Sequence, residues 1–560
     1  MQTSLPPSSQ TSTQSLKQRL PQAVTAVGLL SPFELKDELI DIADEAARTR
    51  AAVMLNAGRG NPNWIATVPR EAFFLLGAFA LQEARRVRDE PEVGLAGMPR
   101  SPGIAGRLRA YLEAHAADPG GVLLRRTVTY GVEELGFDAD SFVWELVDAI
   151  IGDNYPVPDR MLVHAEQVVR AFLAKTMCAG RPPPGRLQLF AVEGGTAAMT
   201  YLFHSFLTNR LLEPGDTIAL GTPVFTPYLE IPHLDECRFQ VVNVEASELD
   251  AGGRHTWQYP DAELDKLADP RIKAFFLVNP SNPGSVAMRQ SGLQRLVELV
   301  RTRRPDLLIV TDDVYGTFVE GFRSLAAELP HNTLLVYSFS KHFGCTGWRL
   351  GVIGMNEDHL ADALIARLPA HEREVVNHRY QSITTEPEKL RFIDRLVADS
   401  RFVALNHTAG LSLPQQVMMT LFSAFALLDE EDAYQKRCRQ ICEERLRGLF
   451  EGLGVELTPD ALRTAYYQTL DLEAYCRKVI GEDFVDYVRE NHDPLDIVFA
   501  LARLFGTVLL NGGGFHGPPW SARISLANLD DAAYPQIGRH LQELVGSAVE
   551  KWKQETQQVH

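Results

Sequence analysis

No stretch of this 560-residue chain approaches the ~18 uncharged apolar residues of a membrane-crossing helix. The polar start MQTSLPPSSQTSTQSLKQRL also lacks the apolar core of an export signal. The expectation is a cytoplasmic protein that neither spans a membrane nor leaves the cell by a normal signal peptide. Cysteine is scarce as well. Cys178, Cys237, Cys345, Cys438, Cys442 and Cys476 are too scattered for a disulfide framework or a CxxC zinc site, so no metal is expected and a reducing compartment is. Cys438 and Cys442 sit four apart in QKRCRQICEERL, which places both on one helix face and reads as packing. Positive charge is in deficit too: 55 basic against 72 acidic residues give a net charge of −17, which argues against a general nucleic-acid surface.

What remains has the composition of an ordinary globular protein, 45% apolar and 23% charged. Residues 1–25 are rich in Ser, Thr, Gln and Pro and predict a mobile tail. From about 185 the chain alternates short β-branched runs with helical stretches. The runs are RLQLFAV (186–192), DTIALG (216–221), RFQVVNV (238–244), KAFFLVN (273–279), DLLIVTDD (306–313), TLLVYSFS (333–340) and RLGVIGM (349–355). Seven such runs with helices between them predict an α/β domain built on a mainly parallel sheet covered on both faces. Beyond 400 the pattern turns helical and then returns to strands at GTVLLN and SARISLANL, the mark of a smaller α+β domain. The division this suggests is 26–100 as the N-terminal part of the small domain and a gate to the site, 101–155 as an insertion, 156–400 as the large domain with a further insertion near 365–400, and 401–560 as the C-terminal small domain.

The candidate chemistry follows the strands. TLLVYSFS ends in Ser338 and Ser340, next to Lys341, with a glycine turn and Arg349 beyond. Such a lysine suits the binding of an aldehyde beside a phosphate site, although a solvated lysine after a strand would look the same. AVEGGTAAMT runs from a strand through Gly194, Gly195, Thr196 and Ala197 into a helix, leaving free N–H groups and a hydroxyl where a phosphate is stabilised. LIVTDDVYGTF puts Asp312 at a strand's carboxyl end with Tyr315 three residues on, and VNPSNPG holds Asn282 in a proline-stiffened loop. Each could be a turn, a cap or a connector; together they gather where open sheets bind ligands.

In this order the motifs resemble the fold-type I pyridoxal-phosphate enzymes, aminotransferase class I, densely over 185–355 and more thinly over 30–65 and 505–530. The resemblance implies pyridoxal 5′-phosphate as cofactor, with Lys341 joined to its aldehyde and later moving the substrate's α-proton. It implies Asp312 facing the pyridinium nitrogen, Asn282 and Tyr315 on the phenolic oxygen, and Phe225 stacked on the ring. Gly195, Thr196, Ala197, Ser338, Ser340 and Arg349 would hold the phosphate. Tyr155, in GDNYPVPDR, matches a tyrosine that relatives lend to the neighbouring subunit, so a homo-oligomer is implied, at least a dimer and as large as a dodecamer. Arg523, after GGGFHG, would grip the substrate's α-carboxylate with its planar fork.

Departures from the common pattern sharpen the substrate. The chain is longer than the usual family member through its inserts. Arg59 precedes Gly60 in LNAGRGNPNW, where relatives carry an aliphatic residue, and Lys36 lies in LLSPFELKDELI, a segment that is usually apolar. Two further cations suggest a second carboxylate, unless they pair with acids such as Glu34 or Asp37. These segments resemble the β-decarboxylating branch of the family. They imply conversion of L-aspartate to L-alanine and CO₂ from an intermediate whose Cα=N bond lies β to the side-chain carboxylate, with side transamination to 2-oxo acids. The same family pattern allows an aminotransferase without decarboxylation. A transcription regulator on this fold would need a basic segment ahead of the large domain, whereas residues 1–50 hold five basic and six acidic side chains.

Overall fold

The computed structural model describes residues 31–50, 54–404 and 410–558; the tail expected at 1–25 lies outside them. The seven β-branched runs become β1 (Leu187–Val192), β2 (Thr217–Thr222), β3 (Gln240–Glu245), β4 (Ile272–Val278), β5 (Leu308–Asp312), β6 (Thr333–Ser338) and β7 (Gly351–Asn356). They form one sheet in the order β1-β7-β6-β5-β4-β2-β3. All neighbours are parallel except β7, which is antiparallel to both β1 and β6. The strands are apolar on both faces because both are covered. On one face Phe190, Ile218, Phe276 and Val336 meet the helix Gly195–Thr208 and the helix Phe392–Ala404, with Phe206 stacked on Phe392.

The opposite face carries a larger helical layer. Leu108, Leu112, Leu124, Phe142 and Leu146, from the segment read as an insertion, pack with Phe172, Leu335, Tyr337 and Phe343 in one core. The helices Thr67–Val87 and Leu413–Leu428 belong to this same layer. The sequence grouped them with the small domain; the structure sets them on the large one. The physical reason is that an apolar helical stripe shows that a helix is buried and leaves open which core it joins.

The small domain therefore draws on the helix Pro32–Arg50 and on the chain from about 433 onward. Its sheet is β8 (Tyr467–Asp471), β9 (Leu510–Asn511) and β10 (Ser521–Ser525) in the order β8-β10-β9, all antiparallel. Arg523 of β10 lies opposite Thr469 on one side and Leu510 on the other. Cys438 and Cys442 are free thiols buried in this domain's core, on the helix Ala433–Leu453. Among the described residues no helix is long and apolar enough to cross a membrane, and no acidic, His and Cys cluster could hold a metal ion.

Candidate active site

Between the carboxyl ends of β5 and β6 and the small-domain sheet lies a cavity of about 400 Å³. It is lined by Gly195, Thr196, Phe225, Asn282, Asp312, Tyr315, Ser338, Ser340, Lys341, Arg349, Gly60 and Arg523, all of them candidates from the sequence. Residues from opposite ends of the chain thus converge on one space.

The floor is an anion cradle. The helix Gly195–Thr208 begins here, so its first N–H groups face the cavity without helical partners. Gly194 has φ +96°, and a Cβ there would come within 2.7 Å of the Arg349 guanidinium. A Cβ on Gly351 would meet Gly194 Cα at 2.6 Å, so only glycine allows β7 this close to the loop. Arg349 donates to the carbonyls of Glu193 and Thr346, both at 3.1 Å, which holds its guanidinium beside the loop. The Ser338 and Ser340 hydroxyls complete the cradle, 3.0 Å apart.

Behind it, Asp312 is fully enclosed. Burial pushes its carboxyl up to about 6, against the opposing pull of a Tyr228 hydroxyl donating at 3.0 Å, the Val314 N–H and the charge of Lys341. Asp313 is likewise pushed up by burial, to about 7, but it bonds to Thr311 and away from the cavity lining. A buried carboxylate facing a cavity suits a positively charged N–H partner. Lys341 follows β6 and donates to the Gly60 carbonyl at 3.0 Å.

Opposite the floor, Arg523 is 1% exposed. It donates to Asn282 Oδ1 at 3.2 Å and to the Gly58 carbonyl at 3.0 Å, and its guanidinium carbon lies 4.4 Å from the Tyr467 ring centre and 5.0 Å from that of Phe515. Its Nε has no partner among the described residues. A buried guanidinium with a spare donor is a receptor for a carboxylate. The two anion receptors, the amine and the buried carboxyl together fit pyridoxal 5′-phosphate with an amino acid above it.

Four sequence candidates stand apart. Ala197 is one residue too far along its helix to line the cavity and packs against the core instead. Tyr155 is 73% exposed and outside the cavity of its own chain. Arg59 is exposed between two lining or bonded glycines. Lys36 pairs with Asp37 at 3.3 Å, and its stem touches the Gly58 turn. Residues that the sequence reading missed include Tyr228, Tyr467 and Phe33. Tyr228 is three residues beyond Phe225 in TPVFTPY, a spacing that could have revealed it. Tyr467 carries no local signal, because only the pairing of β8 with β10 brings its ring under the Arg523 guanidinium.

The family model for aminotransferase class I and II matches residues 191–541. The chain belongs to that family. Its cofactor is pyridoxal 5′-phosphate. A bifunctional aspartate aminotransferase and L-aspartate β-decarboxylase of a Pseudomonas species is 48% identical over 524 residues, 94% of this chain and 97% of that protein. An aspartate aminotransferase of Rhizobium meliloti is 31% identical over 173 residues, 30% of this chain and 40% of its own. Among solved structures, the Rhizobium meliloti aspartate aminotransferase superposes with a TM-score of 0.53 at 17% identity, over 90% of this chain and 95% of that one. The N-succinyldiaminopimelate aminotransferase of Mycobacterium tuberculosis gives 0.54 at 18%, over 92% and 97%. These last two show the fold alone, which the sheet order and cavity already describe.

Proposed function

We propose that this chain is a pyridoxal-phosphate enzyme that removes the β-carboxylate of L-aspartate, releasing L-alanine and CO₂, and also transaminates aspartate with 2-oxo acids. The observation that carries the reading is the reach of the bifunctional relative. Its similarity runs through 94% of the chain, inserts included, whereas the plain aspartate aminotransferase matches 30%.

When bound, the cofactor supplies an aldehyde that joins an amine and a ring that accepts electrons from broken bonds. The chain's own residues do the rest. Lys341 would hold the aldehyde and, as a free amine, would be placed to take the α-proton and return it. Asp312 would keep the ring nitrogen protonated, Asn282 and Tyr315 would serve the phenolic oxygen, and Phe225 would lie against the ring. The cradle of Gly195, Thr196, Ser338, Ser340 and Arg349 would hold the phosphate. Arg523 holds the α-carboxylate and so turns the substrate's α-carbon toward the lysine. Arg59, exposed beside Gly60 and outside the cavity lining, would meet the second carboxylate only loosely. A firm grip there would stabilise the ground state and slow CO₂ loss.

Tyr155 completes the phosphate site of a neighbouring copy, so the working unit is a homo-oligomer of at least two chains in the cytoplasm, and the family resemblance extends it to twelve. Light scattering measures the number. The deciding assay gives the cofactor-loaded chain L-aspartate and no 2-oxo acid. Sustained, matched alanine and CO₂ support the reading; turnover only when a 2-oxo acid is added would make the chain a plain aminotransferase.

A further inference from the structure

Replacing a carboxylate by hydrogen needs a second proton carrier. In β-decarboxylation the bond from Cβ to the carboxylate carbon breaks, CO₂ leaves without the bonding pair, and that pair forms a new Cβ–H bond. One proton is consumed per CO₂, and no oxidant or reductant is needed. Lys341 serves the neighbouring carbon, so the source of this proton has to be found elsewhere in the cavity.

Most of its hydroxyls are committed. Tyr228 donates to Asp312, the Ser338 and Ser340 hydroxyls pair with each other, and Tyr315 donates to the Tyr467 oxygen at 3.0 Å. Tyr467 accepts that bond, which leaves its own proton without a protein acceptor among the described residues. Its position is telling as well. A carbon built on Gly60 would lie 2.7 Å from the Tyr467 oxygen and 3.2 Å from Lys341 Nζ. The Tyr467 oxygen and Lys341 Nζ therefore lie beside the same glycine, no more than about 6 Å apart, close enough to serve adjacent carbons of one bound substrate. The Tyr467 ring also underlies the Arg523 guanidinium, which fixes the phenol relative to the bound carboxylate.

Resting on the decarboxylase reading above, we propose that Tyr467 is a catalytic acid of this enzyme: its phenol delivers the proton that replaces CO₂ on Cβ, and Tyr315 and solvent return it. The surrounding charges suit the task. Burial raises the phenol's pKa, yet Lys341, Arg523 and the Tyr315 hydrogen bond outweigh it and hold Tyr467 below the ordinary tyrosine value. Tyr315 and Tyr466, packed against it, are pushed well above that value, so Tyr467 is the member of the trio that gives up a proton first.

The test is Tyr467→Phe, which keeps the ring under Arg523 and removes the hydroxyl. Alanine and oxaloacetate formed from aspartate are measured together in the cofactor-loaded protein. The expected result is an alanine-to-oxaloacetate ratio lowered about 100-fold. An unchanged ratio, whether both products persist or both fall together, overturns the proposal; a joint fall would mark Tyr467 as a positioning residue for Arg523. If the native enzyme makes no alanine from aspartate, the functional reading has failed first. A second readout needs neither cofactor nor turnover. Ultraviolet difference titration of the native apoprotein should show one phenol ionising below the ordinary range, absent in Tyr467→Phe, and a native apoprotein without it overturns the assignment.

Discussion

Arg523 and Arg59 come from segments that touch through the Gly58 carbonyl, yet they occupy opposite environments. Arg523 is sealed between aromatic rings, bonded to Asn282 and Gly58, with burial pulling its pKa down. Arg59 stands in solvent. A guanidinium stripped of water gains much from a carboxylate, whereas an exposed one trades water for it at little profit. On the proposed function the pair would separate obligatory recognition from adjustable preference: the α-carboxylate would be read by a fixed, dry cation and the β-carboxylate by a solvated one. For a reaction that must let one of its two carboxylates go, that asymmetry is useful.

Four substitutions test the contrast between the buried groups and exposed Arg59, in falling order of effect. Lys341→Ala removes the amine on which both activities depend. Alanine and oxaloacetate formation should both fall by about 10⁴-fold, and the absorption band of the lysine-bound cofactor should vanish. Arg523→Leu should cost on the order of 100-fold in kcat/KM for aspartate, about 3 kcal/mol, as expected for a buried charged contact. A loss no larger than that of Arg59→Ile would break the comparison outright.

Asp312→Asn is read through pH. An unfolded aspartate titrates near 3.9, and the buried one at about 6. The folded apoprotein holds this proton more tightly, so the group's contribution to stability is full below about pH 4 and is lost as pH rises through about 6. The Asp312 share of the decline in apoprotein stability over that window should be about 3 kcal/mol, read as the difference between native and Asp312→Asn. The asparagine variant lacks that share, leaving the decline from Asp313, which starts in the same range and runs on to about 7. Loading the cofactor should flatten the Asp312 part, because a positive ring nitrogen favours the charged carboxyl. Arg59→Ile is the mildest: stability within about 0.5 kcal/mol of native, KM for aspartate raised a few-fold, and a shifted alanine-to-oxaloacetate ratio. Unchanged values of both would remove Arg59 from the account.

Sequence and structure meet most closely where chemistry is local in the chain. The seven strands announce themselves as β-branched runs, Asp312 ends one and Thr196 and Lys341 come just after others, so the rule that open sheets bind ligands at strand ends placed them together. Arg523 was legible through its glycine-rich prelude. Tyr467 was not, because its meaning comes from lying beside β10 and across from Lys341, a relation set by tertiary contact. The same limit misassigned the helices Thr67–Val87 and Leu413–Leu428, whose apolar stripes fit either core. Lys36 illustrates a third kind of limit. Its charge was visible, but whether Asp37 or a substrate would claim it depended on a side-chain direction.

The cavity's construction from both ends of the chain also bears on how the protein is made. The cradle, Asp312 and Lys341 all precede residue 350, while Tyr467 and Arg523 come far later, and the helix Pro32–Arg50 settles against the late helix Asp496–Phe505. The order of synthesis therefore brings the cradle and Lys341 off the ribosome more than a hundred residues before the two side chains that face them across the cavity.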